Sequence, residues 1–331
     1  MINTLLNAIS RKKQILILTH NNPDPDAMAS ALGLKYIIHK KMRKKVVIAY
    51  MGVVGRLENR ELVRQCGIDM FLSFDLNFKR FDYIVLVDTQ PQAGNVYIPD
   101  GFAVNAVIDH HLMKKKLNRK DVLTDIRPDY GSCSTIITEY IQSLQIEPDK
   151  SIATALYYGI TTDAIGQARD AHQADQLMLG FLFPYVAINK LKRIENPELP
   201  RYHFKNLKRA IENSIILDFL LFCDLGDVRN VDLIAETADY LTRMREVRCI
   251  FVMGKLDNVA YFSLRYKSTR RTVGLIAIKI VKGIGYGGGH VKSAGGQIPL
   301  AGKVYADVAA LLKTRLMKNL SIPHDTEGKP I

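Results

Sequence analysis

Four short, nearly continuous apolar runs constrain this chain more than any other feature: QILILTH (14–20), KVVIAYM (45–51), YIVLVDT (83–89) and AVNAVIDHH (103–111). Runs this short and this uniformly apolar suit strands covered on both faces, as in a parallel sheet. Between them, 26–42 and 56–67 carry apolar residues at helical spacing. Strand and helix patterns in alternation predict an α/β fold with helices flanking a parallel sheet. Two more helices are predicted over 131–144 and 150–164, and 172–194 is helical and apolar. NPELP (196–200) breaks that pattern and places a boundary near 190–205. Beyond it, 204–222, 231–244 and 305–320 read as helices, and 248–266 reads as a hairpin turning at Asp257-Asn258.

Three of the apolar runs end in side chains that ligate metals: His20, Asp88, and the triplet Asp109-His110-His111. Ligands of parallel α/β sheets sit outside the carboxyl ends of the strands, so these groups are expected to share one crevice. Asp24 and Asp26 follow the first strand and can join them, as can Asp163 at the end of LYYGITTD. Taken singly, an Asp before a helix is a cap or turn residue. Four segments delivering ligands to one place are harder to explain that way. Four carboxylates gathered in a crevice would repel one another or take up protons. Two divalent cations would cancel that charge. Oxygen and imidazole donors without thiolate fit Mn²⁺ best, with Mg²⁺, Co²⁺ and Fe²⁺ as competitors.

Composition narrows the partners. The 46 Lys and Arg against 33 Asp and Glu leave a formal charge of +13, and several acids belong to the crevice, so the remaining surface favours polyanions. No apolar run is long enough to span a membrane. The four scattered cysteines form no CxxC and are read as reduced thiols, which with the N-terminal pattern implies a cytoplasmic protein. Gly283-x-Gly285-x-x-Gly288 formally matches a dinucleotide fingerprint, but HVKSAGGQIP follows it, which is no helix start.

His20-x-x-Pro23-Asp24-x-Asp26-Ala27, Asp88, Asp109-His110-His111 and Asp163, in that order, resemble the successive motifs of the DHH phosphoesterase superfamily. GYGGGHVKSAGG (285–296) resembles the glycine-rich histidine signature of the DHHA1 domain. By size and layout the chain is most similar to the NrnA-like oligoribonuclease and pAp-phosphatase group, with RecJ-type exonucleases as larger relatives. Three features depart from the pattern. Pro25 stands where many members have Gly, TTDAIGQARD lacks the Thr-Gly and aromatic residue that often follow its Asp, and the helical segment 172–222 is long.

The resemblance implies a catalytic domain over 1–190, a helical linker over 191–222, and over 223–331 a smaller α/β substrate-binding domain with a mixed sheet. It implies one cation held by His20, Asp24 and Asp88, and a second held by Asp26, Asp88, His110 and Asp163, with Asp88 shared. His111 would face the substrate phosphate, and Asp109 would orient a neighbouring histidine. Arg265, Gly288, Gly289 and His290 would bind the rest of the substrate. The implied activity is cation-dependent hydrolysis of short oligonucleotides or phosphorylated nucleotides such as pAp. Cyclic or linear dinucleotides are the alternative substrates, and a nucleotide-binding regulator of poor turnover is the alternative of another class. A homodimer stays open.

Overall fold

The structure is a computed structural model and describes residues 1–112, 122–165, 172–268, 272–289 and 291–331. The chain divides into two compact units, Met1–Glu198 and Leu199–Ile331. The segment 191–222 spans the division between them.

The first unit runs α1 (Ile2–Ile9), β1 (Gln14–Leu18), α2 (Pro25–Met42), β2 (Lys45–Tyr50), α3 (Leu57–Cys66), β3 (Met70–Leu72), β4 (Tyr83–Val87), β5 (Ala106–Asp109), β6 (Leu123–Ile126), α4 (Cys133–Ser143), α5 (Lys150–Ile160), α6 (Gln173–Leu182) and α7 (Ile188–Glu195). The six strands pair in the order β3-β2-β1-β4-β5-β6, and every pairing is parallel. Alternate side chains enter two cores, as the strand period requires. Ile15 and Ile17 pack with α1, α2, α4 and α5, while Leu16 and Leu18 pack with Phe78, Leu86 and the loops of the other face. The strand order reverses between β1 and β4, the point where an open parallel sheet offers a crevice.

Helix α2 is buried nearly all round, which explains its weak amphipathic pattern. Its Gly33 lets α4 and α5 approach: a Cβ there would lie 2.6 Å from Ile137 Cγ2 and 3.2 Å from Leu156 Cδ2. Gly33→Val should lower stability by about 1–3 kcal/mol through overpacking. Urea midpoints of the variant and the parent check this, and an unchanged midpoint would mean the three helices can separate at no cost.

The second unit runs α8 (Arg201–Glu212), β7 (Ser214–Leu217), β8 (Leu220–Asp227), α9 (Asp232–Leu241), β9 (Cys249–Leu256), β10 (Val259–Tyr266), α10 (Val273–Ile280), β11 (Tyr286–Gly289), β12 (Ser293–Pro299), α11 (Tyr305–Leu320) and β13 (Lys329–Pro330). Its sheet, ordered β11-β12-β10-β9-β8-β7-β13, is mixed: β8 and β9 pair in parallel and the other neighbours are antiparallel. The expected hairpin at Asp257-Asn258 is β9–β10. Residues 204–222, expected as one helix, are instead the end of α8 and a hairpin that turns at Asp218, whose φ of 55° lies in the left-handed region. The pairing of β8 with β9, remote in sequence, overrides the local helical spacing. GYGGG contains the sheet-edge strand β11, which α10 approaches closely: a Cβ on Gly274 of α10 would meet Gly289 O at 2.2 Å, whereas Gly288 has open space on its Cβ side.

Candidate metal centre

The site lies at the carboxyl ends of β1, β4 and β5. His20 follows β1, Asp24 caps α2 by accepting a hydrogen bond from Ala27 N, and Asp26 sits in the first turn of that helix. Asp88 ends β4 with φ 59°, a left-handed conformation uncommon for a residue with a Cβ and a form of strain that gathers at functional sites. Asp109 ends β5, and His110 and His111 follow it. Asp163 lies in a single π turn, Thr161–Ile165, that ends α5, a distortion common at functional positions.

These seven side chains and Asp109 converge. His20 Nε2 is 3.7 Å from Asp24 Oδ1 and 3.6 Å from Asp88 Oδ2. His110 Nε2 is 3.2 Å from Asp163 Oδ2, 3.4 Å from Asp88 Oδ1 and 3.8 Å from Asp26 Oδ2. The two oxygens of Asp88 thus face two different histidines. Ligand atoms fall into compact groups: His20, Asp24 and Asp88; Asp26, His110 and Asp163; and Asp88, His110 and His111.

Both inner imidazoles are oriented by backbone. Nδ1–H of His20 donates to Asn21 O at 2.9 Å, and Nδ1–H of His110 donates to Tyr130 O at 3.1 Å. Each ring therefore turns Nε2 toward the carboxylates, as a ligand must. His111 is different: its Nδ1 meets Asp109 Oδ1 at 2.9 Å, and its side chain is 46% exposed. Asp109 is itself locked, accepting also from His110 N at 2.8 Å and from Gln90 Nε2 at 2.7 Å.

Charge explains the donor set. Burial and the neighbouring Asp88 push Asp26 well above the usual carboxylate range, and burial pushes Asp88 up as well. Burial disfavours the imidazolium of His20, but hydrogen bonds to Asp24 and Asp88 outweigh it and hold the ring near 11. His110 behaves alike at about 10, with Asp163 its main hydrogen-bond partner. Asp88 Oδ1 is buried and has no hydrogen-bond partner among the described residues. Crowded carboxylates, two Nε2 atoms aimed inward and a buried oxygen without a donor are a donor set that fits divalent cations. Cation uptake must displace the protons these histidines carry.

Several supporting residues lie outside the motifs read in the sequence. Asp26 accepts from Cys133 N and Ser134 N, each at 2.7 Å, so the N-terminus of α4 holds it from more than a hundred residues away. Asp175, fully buried, accepts from Gly131 N at 3.0 Å and Thr135 Oγ1 at 2.5 Å and closes a capping box with His172. An acid three residues after the N-cap was the signal available for it. The ring of Tyr130 is held between the Arg127 guanidinium, 5.0 Å from its centroid, and the stacked His172 ring at 5.2 Å. Its hydroxyl donates to Glu139 Oε1 at 2.8 Å. This clamp fixes the carbonyl that orients His110. Tyr130→Ala should weaken Mn²⁺ binding by about 10–100-fold, the usual cost of losing such an outer partner. Calorimetric Mn²⁺ titration checks it, and parent affinity in the variant would show that the clamp does not govern His110.

Arg265, in β10 of the second unit, donates from Nε to Asp239 Oδ1 at 2.6 Å and from Nη1 to Ser263 Oγ at 2.7 Å. It lines a cavity of about 590 Å³ with Tyr261, Tyr286, Gly287, Gly295 and Gln297. Gly288 and Gly289 lie beside this cavity's wall in β11, and His290 lies outside the described residues. All four cysteines are buried thiols. Among the described residues, no helix is long and apolar enough to cross a membrane.

The chain is similar to several known proteins. An uncharacterized protein of Methanocaldococcus jannaschii is 32% identical over 309 residues, 92% of this chain and 62% of that protein. Cyclic-di-AMP phosphodiesterase GdpP of Geobacillus thermodenitrificans is 24% identical over 329 residues, 89% of this chain and 46% of GdpP. The chain thus spans less than two thirds of either relative. The crystal structure of an exopolyphosphatase-related protein from Bacteroides fragilis superposes with a TM-score of 0.74 at 16% identity, covering 96% of this chain and 95% of that one. Residues 14–160 match the model of the DHH family, N-terminal domain, and this part of the chain belongs to the DHH superfamily.

Proposed function

We propose that this protein hydrolyses phosphoester bonds of short oligonucleotides, and of phosphorylated nucleotides such as pAp, with two divalent cations. The observation that carries the reading is the placement of Asp88, which ends the strand at the sheet's reversal and offers one oxygen to each of two inward-facing histidines. His20, Asp24 and Asp88 would hold one cation; Asp26, Asp88, His110 and Asp163 would hold the other. Such a pair supplies a nucleophilic water near neutral pH and neutralises charge on the phosphate oxygens. Mn²⁺ suits the donors best, with Mg²⁺ and Co²⁺ as alternatives.

The remaining groups divide the work. The hydrogen bond to Asp109 raises His111 and favours its imidazolium. With Nδ1 so engaged, Nε2–H is the group available to a phosphate or departing oxygen. Asp109, locked by Gln90, keeps the ring turned and balances its charge. In the second unit, Arg265 and the strand of Gly288 and Gly289 would hold the rest of the substrate beside the aromatic cavity wall. GdpP's likeness over most of this chain supports a second reading, cleavage of a cyclic dinucleotide.

Turnover of pAp, linear dinucleotides, 5-mers, 24-mers, cyclic di-AMP and polyphosphate separates these readings. Protein stripped with EDTA should be inactive on all of them and regain turnover with Mn²⁺, fastest on the shortest linear substrates. Preference for cyclic di-AMP would establish the second reading, and full activity in EDTA would exclude both.

A further inference from the structure

The amino ends of the strands, opposite the metal centre, carry a band of cations that the hydrolytic reading does not use. The parallel register sets Gln14 beside Lys45, and the Lys44 ammonium donates to Ser10 O at 2.8 Å and Lys12 O at 2.5 Å. The turns before β1 and β2 are thereby tied side by side. Asp82, just before β4, joins them by accepting from Lys13 N and Gln14 N. Exposed Arg11 and Lys13 precede β1, Arg43 and Lys45 precede or open β2, and Lys79 and Arg80 precede β4. These are three neighbouring strands, so the six cations form one row. Asp82 is the acid in their midst, and its carboxylate is turned to backbone N–H groups. None of the exposed large hydrophobic residues falls within 10–13, 39–45 or 79–82.

We propose that this edge docks the phosphate backbone of a nucleic-acid duplex. Its charge suits a regular polyanion. Apart from His39, exposed near the end of α2, the row holds no exposed aromatic ring of the kind that stacks unpaired bases, which favours a duplex over a single strand. It holds no apolar wedge of the kind that enters a lipid interface, which disfavours a membrane. Arg43 adds a further point. It caps α2 with φ 51°, a conformation that glycine adopts freely, so its side chain is kept where the backbone disfavours one. The strands place the row roughly 17 Å from the site, at about 3.3 Å per residue over β1. Docking therefore leaves the metal centre open, and the proposal stands apart from the identity of its substrate.

The test is fluorescence anisotropy with a labelled 24-base-pair DNA duplex across a salt series. The triple variant Lys13→Glu, Arg43→Glu, Lys45→Glu is compared with a charge-matched control, Lys205→Glu, Lys303→Glu, Lys318→Glu. The first should bind at least about tenfold more weakly than the parent, with a log–log salt slope shallower by about 2–3, since each lost phosphate contact accounts for about 0.9. The control should lose far less, and both should keep parent turnover of a linear dinucleotide. Arg43→Gly should melt higher than the parent yet bind the duplex more weakly. Equal losses in the two triple variants would overturn the proposal. So would tighter binding of a single-stranded 24-mer, or displacement of the duplex by phosphatidylserine vesicles.

Discussion

Asp88→Asn will fold and will lose phosphodiester turnover by about a thousandfold or more. Both Asp88 oxygens are committed, Oδ2 toward His20 and Oδ1 toward His110. Asn keeps the shape but removes the charge that two cations would share. Cation stabilisation of the transition state is worth several kcal/mol, and about 1.4 kcal/mol is a decade in rate. The same change should raise the melting temperature in EDTA. Burial, with Asp24 adding to it, raises Asp88 above the usual carboxylate range despite the facing His20 and His110, so in the absence of cations removing its charge relieves more than it costs. The experiment measures kcat with saturating Mn²⁺ and Tm with EDTA for the variant and the parent. Near-parent turnover would rule out a shared carboxylate. A fall in both activity and Tm would place Asp88 in the framework of the fold instead.

Arg265→Ala should raise KM about tenfold with a smaller change in kcat. A charge-assisted contact to a substrate phosphate is worth about 1.5–3 kcal/mol, which spans one to two decades. Asp239, 2.6 Å from Arg265 Nε, already neutralises part of that charge and favours the lower end. The guanidinium is also held by Ser263, so little ordering remains to be done on binding. If Arg265 grips a part of the substrate away from the reacting phosphate, its loss removes uniform binding and appears in KM. The effect should be present for pAp or a dinucleotide and absent for a minimal aryl phosphodiester, which has nothing to place in the second unit's cavity. An equal loss on both substrates, residing in kcat, would put Arg265 at the reacting phosphate.

Much of the first unit was legible because its signals are local. The runs at 14–20, 45–51, 83–89 and 103–111 all contain strands, and three of these strands, β1, β4 and β5, end within two residues of the candidate ligands His20, Asp88 and His110. Continuous apolar character shows that both faces are covered, whichever layers cover them. The second unit was less legible. Residues 214–222 have spacing compatible with a helix, and the β7–β8 hairpin together with the pairing of β8 with β9 and of β7 with β13 makes them strands. The edge strand β11 likewise depends on its neighbour β12, and its Gly287 follows from the approach of α10, where a Cβ would meet Ala277 O at 2.9 Å.

The sequence by itself determined the class of fold, the donor types and the strand ends that carry them, because hydrophobic period and side-chain chemistry are properties of short segments. Tertiary structure alone decided how those donors are held. The Tyr130 carbonyl orients His110, the amides of α4 bind Asp26, Gln90 locks Asp109, and Asp175 ties α4 to α6. Each of these partners is brought in by strand order and helix packing, over separations that no local pattern records. The left-handed backbone of Asp88 belongs with them. It is sustained by the sheet on either side of β4, and it turns one carboxylate toward both halves of the site.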